Sequence, residues 1–318
     1  MKSTYKYLLI LMSVVLVGTT SCLKEEIKDT PGPRLIKNAD DVDALLMGLY
    51  SRFNDGSAFK YEGSTMYFLA ADDIFSESGS IFGSYSSKIF TDSHTTPFWN
   101  SLHGTVASAN EVLATLDRLE LDSAFESTAR GEAEFIRAFS HYYLVRLYGG
   151  IPIRTEAVTL NSDFYLPRNT IDEVYAQIFT DLKSASDRLP LFNKLQGDKL
   201  GRASKGAAQA ILAQAYLTYG NQKALKGQDA TAEYQNAVLY ADEVINSGEY
   251  TLLNNYGDLF DISKESSAYN EVIFGVRFQV DQQNRAIPAA GSEFALHFAA
   301  TNTDLTTGQG TRRNGDNA

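Results

Sequence analysis

Cysteine is almost absent from this chain of 318 residues, which contains Cys22 and no other. No disulfide can form within the chain, so a fold stapled by disulfides is excluded. Basic residues are also scarce, because 28 lysines and arginines oppose 39 aspartates and glutamates, giving a formal net charge of −11. Nucleic-acid binding depends on clustered lysine and arginine, so this composition argues against a nucleic-acid-binding protein.

The patterns that mark common catalytic and metal sites are missing as well. The four histidines, His94, His103, His141 and His297, form neither a His-Glu-x-x-His pair nor a Cys-His zinc pattern. The sequence contains no Gly-x-Ser-x-Gly elbow and no Walker A loop. His141 lies within a predicted helix, where a packed or surface position is favoured over a catalytic base. We therefore predict no metal or cofactor, and these motifs give no support for an enzyme.

The apolar run near the N-terminus is too short for a membrane span. It covers residues 8–18, whereas a helix needs roughly 20 residues to cross the bilayer core. Lys2 and Lys6 precede it, which is typical of the hydrophobic region of a signal peptide. No other apolar run is long enough to span a bilayer, so we expect the body of the protein to lie outside the membrane.

Cys22 directly follows this signal-peptide pattern and a stretch of small residues. The arrangement resembles a bacterial lipobox, although Thr19 stands where leucine is usual. We expect residues 1–21 to be cleaved and Cys22 to be lipidated, since several acyl chains on one cysteine anchor a protein stably. An ordinary signal peptide with an incidental cysteine is the alternative. Residues 22–38 then form a polar tether, whose Glu25-Glu26 pair resembles a surface-export signal or is a solvated linker.

Helical periodicity dominates the body of the chain, residues 39–280. Apolar residues spaced three and four apart, together with capping and stop signals, predict six helices. They run from Val42 to Phe53, from Pro97 to Leu116, from Ser127 to Tyr148, from Thr170 to Pro190, from Ser204 to Gly220 and from Tyr234 to Ile245. The last two resemble one tetratricopeptide-type hairpin, although the linker 221–229 is longer than that repeat allows. Strict alternation over 272–280 predicts a strand.

Residues 56–96 differ from the rest, because they are rich in glycine, serine and aromatics and lack sustained periodicity. A loop this long is usually functional or disordered. Its Asp72-Asp73 pair would suit a calcium ion, or the acid and base of a glycosidase, if other oxygens lay close by. A solvated, hydrogen-bonding loop is the favoured interpretation of the pair.

Five segments together resemble the SusD/RagB family of outer-membrane nutrient-binding lipoproteins. The most distinctive is RGEAEFIRAFSHYYLVRLYGGIP at 130–152. The others are the Trp99-to-Leu113 motif, RNTIDEVYAQIFTDLKSASDRLP at 168–190, GRASKGAAQAILAQAYLTY at 201–219, and Asn270 to Phe274. These segments follow the family's order and span most of residues 40–280.

This resemblance implies a fold class and a function that is not enzymatic. The fold is expected to be mostly α, a SusD-like helical domain with tetratricopeptide-like hairpins, long loops and few short strands. The protein would be a cell-surface lipoprotein, held at the outer membrane by its lipid anchor only. It would capture a glycan or another nutrient and act as the lid of a SusC-type TonB-dependent transporter. A surface scaffold or adhesin, an inactive truncated remnant and, with least support, a surface glycosidase remain as alternatives.

The resemblance does not transfer ligand contacts residue by residue, because loop 56–96 varies within the family. A sugar site needs aromatic platforms and a few hydrogen-bonding groups. We expect Phe82 and Tyr85 to stack on the ligand, with Phe75 beside them and with Asp72 and Asp73 accepting hydrogen bonds from hydroxyls.

Three residues of the family motifs receive a structural interpretation instead. Trp99 is expected in the core, and Arg137 and Arg146 are expected to hold helices together rather than to contact substrate. Family members are longer than this chain, so residues 281–318 are interpreted as a polar tail that begins a C-terminal region.

Overall fold

Eight α-helices make up most of the described chain. The computed structural model describes residues 36–54, 58–59, 66, 71 and 81–275, without the side chains of Asn54, Ile81, Phe82, Asp198, Ile262, Glu265 and Ser266. The helices are α1 (Ala39–Ser51), α2 (Ile81–Ser86), α3 (Asp92–Arg118), α4 (Ser123–Tyr148), α5 (Ile171–Arg188), α6 (Lys205–Leu225), α7 (Thr231–Ile245) and α8 (Glu265–Ala268). Short 3₁₀ turns cover Arg52–Asn54, Phe192–Lys194, Gly197–Lys199, Tyr256–Phe260 and Ile262–Lys264.

The five long helices α3 to α7 pack in chain order, each against the next, and α1 lies against α3 and α4. These elements belong to one compact unit that begins at Lys37. The prediction of a mostly α fold is confirmed. Among the described helices, we find none with the length and hydropathy of a membrane span.

Side-chain caps fix where several helices begin, as their sequences predict. The Thr170 hydroxyl accepts the N–H of Glu173 at 3.2 Å, and the Glu173 carboxylate accepts the N–H of Thr170 at 2.7 Å. This reciprocal pair is a capping box, which satisfies two amides that a helix start leaves unpaired. Ser204 caps α6 in the predicted way, by accepting the N–H of Ala207 at 3.1 Å.

Helix α3 begins earlier than predicted. The N–H of Thr91 donates to His94 Nδ1 at 3.3 Å, and the helix starts at Asp92, so Pro97 lies in its second turn. At this sixth position the proline removes the amide hydrogen bond to the carbonyl of Ser93, and the helix continues through it. The capping chemistry, rather than the proline, therefore defines the start of α3.

The predicted end of α6 at Gly220 is also wrong. The helix continues to Leu225, and residues 226–230 connect it to α7 in place of the longer predicted linker. Gly220 instead permits close packing, because a Cβ at this position would lie 3.0 Å from the Tyr234 ring. With this shorter connection, α6 and α7 form a tight helical hairpin.

The predicted strand 272–280 is not present in its described part. Residues 272–275 form a bend, and 276–280 lie outside the described residues. The Phe274 ring packs against Phe135 at 4.9 Å and Phe139 at 5.8 Å between centroids. Core packing of this ring, without a partner strand among the described residues, accounts for the difference.

Candidate ligand-binding face

One end of the helical bundle gathers the segments that connect its helices. Helix α3 starts there and α4 ends there, since the Tyr148 hydroxyl donates to the carbonyl of Thr95 at 2.6 Å. Arg168, just before α5, donates to the Tyr148 carbonyl at 3.2 Å. The described residues 52–54 and 81–91 and the segment 149–170 therefore meet at one surface, which we call the loop end. Exposed loops held on a rigid scaffold are where binding residues concentrate.

Most of the residues predicted to bind ligand are not described at this surface. Asp72, Asp73 and Phe75 lie outside the described residues, as does the predicted lipidation site Cys22. Phe82 lies within α2, and its side chain is not described. Their assignment as ligand contacts or as the anchor stays a prediction.

Tyr85 is placed, and its position corrects the prediction of ligand stacking. The side chain is fully buried in a cluster with Met66 and Phe98. Its ring stacks on Phe90 with centroids 5.9 Å apart and meets His94 edge-on at 5.8 Å. A ring enclosed in this way offers no face to a sugar, so Tyr85 instead joins α2 to the start of α3.

A polar cleft opens beside this cluster, between the end of α1 and the first turns of α3. Its volume is about 640 Å³, and its lining is Arg52, Asp92, Ser93, Thr96, Pro97, Asn100 and Ser101. Arg52 Nε and Ser101 Oγ are buried and have no hydrogen-bonding partner among the described residues. The exposed side chains of Asp92, Ser93, Thr96 and Asn100 are the groups that offer hydrogen bonds to a hydroxyl-bearing ligand in this cleft. The run of polar residues that begins α3 is the sequence signal for this cleft.

Exposed aromatic rings stand on the second segment of the loop end. Phe164 is 63% exposed and Tyr165 is 92% exposed. The N–H of Tyr165 donates to Asp163 Oδ1 at 2.9 Å, and Arg154 donates to the Asp163 carbonyl, so the backbone beneath the rings is held. Exposed aromatic rings on a fixed backbone are suited to stacking on sugar faces. The Asp-Phe-Tyr run in a loop is the signal that sequence reasoning missed.

A buried ionic network ties this segment to the helices. Arg137 of α4 binds Asp181 of α5 through two hydrogen bonds of 2.9 Å and 2.7 Å. The same guanidinium donates to the carbonyl of Thr155 at 3.0 Å and to Asn110 Oδ1 at 2.9 Å. The Asn110 amide in turn donates to the carbonyls of Arg154 and Glu156. Arg137 thus holds helices and a loop together, in line with its predicted structural role.

Trp99 differs from its expected place in the core, because it is only half-buried while its neighbour Phe98 is buried. Its ring meets Tyr148 edge-on at 5.1 Å, and the Arg168 guanidinium lies 5.7 Å from the ring centroid. These contacts join the starts of α3 and α5 to the end of α4. Trp99 is therefore part of the framework beneath the loop end.

The buried histidines are not suited to act as bases. Burial lowers the pKa of His103 to about 4. His141 is fully buried, and burial together with the charge of Arg137 lowers its pKa to about 3. Its packed position within α4 agrees with the prediction. In the part of the chain that the structure describes, no cluster of three histidine, cysteine or acidic residues could hold a metal ion.

Comparison with known proteins gives a consistent result. A SusD-like family model, described as "Starch-binding associating with outer membrane", matches residues 24–217. SusD-like protein P25 of Formosa agariphila is 24% identical over 257 residues, which are 77% of this chain and 46% of the relative. The chain thus spans about half the length of the curated relatives it matches.

Solved structures share the fold. A laminarin-binding SusD-like protein superposes with a TM-score of 0.61 and 23% identity, over 75% of this chain and 51% of that one. A protein crystallised with a xylogluco-oligosaccharide superposes with a TM-score of 0.62 and 24% identity, over 75% and 46% of the two chains. At these identities the superpositions establish the helical architecture.

Proposed function

The chain belongs to the SusD-like family described as starch-binding and associated with the outer membrane, and from this premise we propose that it is a glycan-binding lipoprotein of the cell surface. The observation that carries the proposal is the family match over residues 24–217, which includes the helices that build the loop end. Solved relatives described with laminarin and with a xylogluco-oligosaccharide support a carbohydrate ligand. The protein binds its ligand without converting it.

The proposal includes a membrane anchor and a partner. Lipidation of Cys22 holds the chain at the outer membrane, and the polar residues up to 38 serve as a tether. The helical body acts as the lid of a SusC-type TonB-dependent transporter, to which it delivers the captured glycan. The long helices α3 to α7 provide the rigid framework that such a lid requires.

The glycan is held at the loop end by aromatic rings and by polar side chains. Asp72, Asp73, Phe75 and Phe82, from the predicted loop 56–96, remain the proposed contacts. Tyr165 extends this set from the second segment, together with Phe164, and the polar cleft lined by Arg52 lies at the same end. Stacking supplies affinity for the C–H faces of sugars, and the cleft supplies hydrogen bonds to their hydroxyls.

Glycan binding by the purified chain is the direct test of this proposal. We expect at least one of laminarin, xyloglucan oligosaccharides and starch to bind in isothermal titration calorimetry, with no release of reducing sugar. Replacing Tyr165 with alanine should weaken binding by about threefold to tenfold, since an aromatic contact contributes about 0.5–1.5 kcal/mol. Tyr256→Ala is the matched control, because Tyr256 is also exposed but lies beyond α7. Equal losses in both variants would contradict the role of Tyr165, and sugar release would favour a glycosidase.

The transporter partnership has its own measurement. A tagged chain purified from the outer membranes of its native host should bring a TonB-dependent barrel with it in stoichiometric amount, as identified by mass spectrometry. The Cys22→Ser variant should no longer be recovered with the membrane, because it removes the sulfur that carries the lipid. A folded, surface-exposed chain that is recovered alone would contradict the lid function and favour the scaffold or remnant interpretation.

A further inference from the structure

Helix α3 presents one continuous strip of polar side chains to the cleft at the loop end. Asp92, Thr96 and Asn100 are spaced four residues apart, so they lie on one face of the helix, and Ser93 stands beside them. All four side chains are exposed. At 1.5 Å per residue, the strip from Asp92 to Asn100 is about 12 Å long. Its carboxylate, hydroxyl and amide groups suit an uncharged ligand that is rich in hydroxyls.

Gly104 is the next position on this face of α3, and it brings no side chain to the cleft. The guanidinium of Arg52 takes the space instead. A Cβ at position 104 would overlap with Arg52 Nη2 and would lie 3.4 Å from Arg52 Cζ. Because Arg52 also lines the cleft, its guanidinium forms the wall at the Gly104 end of the polar strip.

The position of this guanidinium depends on the room that Gly104 leaves. Arg52 Nε is buried and has no hydrogen-bonding partner among the described residues, so no bond from this atom holds the group in place. Phe53 and Ser101 are buried beside it, and the cleft is the open space that borders it. A side chain at position 104 would therefore drive the guanidinium towards the cleft.

We propose that Gly104 is a positioning residue for glycan binding, which keeps the cleft open by seating the Arg52 guanidinium against α3. The open cleft then receives an uncharged segment of the glycan, whose hydroxyls bind the polar strip. Its volume of about 640 Å³ falls within the size range of small-ligand sites. A displaced guanidinium would take up part of this volume and place a cation among the ligand's hydroxyls. This inference rests on the proposed function and identifies the part of the loop end that sugar enters.

Glycan titration of a Gly104→Ala variant tests the proposal. Laminarin, xyloglucan oligosaccharides and starch are each titrated in isothermal titration calorimetry. The glycan that binds the wild type should bind Gly104→Ala at least about fivefold more weakly, the loss expected for one hydrogen bond. Gly48→Ala is the matched control, because Gly48 also lies within a helix and a Cβ there meets no atom within 4 Å. Alanine favours both helices over glycine, and urea denaturation verifies that both variants are folded.

Two further measurements separate a role through Arg52 from a purely structural one. In an Arg52→Ala background, Gly104→Ala should change the affinity by less than about twofold, because no guanidinium remains to be displaced. In the NMR spectrum of the isotope-labelled chain, the Nε–H of Arg52 should exchange with solvent faster in Gly104→Ala than in Gly48→Ala. The displaced group leaves its closed position, whereas the control leaves it in place.

Each outcome of these experiments bears on the proposal. Weaker binding in Gly104→Ala alone, abolished in the Arg52→Ala background, supports it. Equal affinities of Gly104→Ala and Gly48→Ala for a glycan that the wild type binds would overturn it and leave the proposed function standing. A loss that persists without Arg52, or an Arg52 Nε–H with unchanged exchange, would also overturn it. If the wild type bound none of the three glycans, the proposed function would fail, and the inference with it.

Discussion

Replacement of Arg137 with leucine is expected to lower the free energy of unfolding by about 3–5 kcal/mol, the cost of breaking a buried ion pair. The Arg137 and Asp181 side chains are only 7% and 3% exposed, and their closest atoms are 2.7 Å apart. Without the guanidinium, the Asp181 carboxylate stays buried with the Gln177 amide, at 2.9 Å, as its remaining hydrogen-bond donor. Asn110 and the Thr155 carbonyl each lose a hydrogen bond as well.

Urea denaturation provides the measurement, with the midpoint compared at an unchanged slope. Arg130→Leu is the control on the same helix: the Arg130 side chain is 19% exposed, but its partners Asp117 and Glu126 are 67% and 35% exposed. The two carboxylates that this variant leaves behind are therefore reached by solvent, so its loss should be about 1 kcal/mol and clearly smaller than that of Arg137→Leu. The double variant Arg137→Leu, Asp181→Leu also removes the buried Asp181 carboxylate. Its free energy of unfolding should therefore be higher than that of Arg137→Leu alone. Equal effects of Arg137→Leu and Arg130→Leu would contradict the stabilising role of the buried Arg137 network.

The Arg137→Leu substitution also links the stability of the fold to ligand binding at the loop end. The network fixes the carbonyls of residues 154–156, and Arg154 in turn holds the backbone below Tyr165. A folded Arg137→Leu variant should therefore bind glycan more weakly, although Arg137 itself lies beneath the surface. Burying polar groups costs desolvation free energy, but a network in which they are all paired makes the structure around it rigid. The Arg137 network is therefore suited to holding an exposed loop in one position.

The helices could be predicted from the sequence because each carries local information. The capping box at Thr170 and the apolar stripe from Val42 to Phe53 depend on residues a few positions apart, and both agree with the structure. The predictions at Pro97 and Gly220 are wrong because each residue has two possible roles. Proline both starts helices and is tolerated in their early turns, and glycine both ends helices and permits close packing.

The site could be predicted only in outline, because its geometry depends on contacts between distant residues. Arg137 and Asp181, for example, are 44 residues apart. No spacing rule connects such pairs. Tyr85 shows a second limit, since an aromatic residue in a polar segment can be an exposed platform or part of the core, and composition does not distinguish them. For the same reason, the sequence does not predict that Tyr165 is exposed.

Acid is expected to destabilise the fold through two histidines. His103 and His141 are expected to cost the fold about 4 kcal/mol between pH 7 and pH 5. Burial lowers their pKa values to about 4 and about 3, whereas an unfolded histidine titrates near 6.5. Below pH 6.5 the unfolded chain binds protons that the folded chain does not, so stability falls as the pH is lowered. At pH 5 each imidazole is about 1.5 pH units below its unfolded pKa, which corresponds to about 2 kcal/mol for each residue.

Urea denaturation of the wild type at pH 7 and pH 5 measures the loss, and His141→Phe should reduce it by about half. His94→Gln is the control, because glutamine can keep the capping contact with Thr91 while both buried imidazoles remain. Burial raises the pKa of Glu132 and of Glu134, which acts with the opposite sign in acid. The difference between the variants at each pH therefore isolates the imidazole contribution, and an unchanged pH dependence in the His103→Phe, His141→Phe double variant would show that acid acts through other groups.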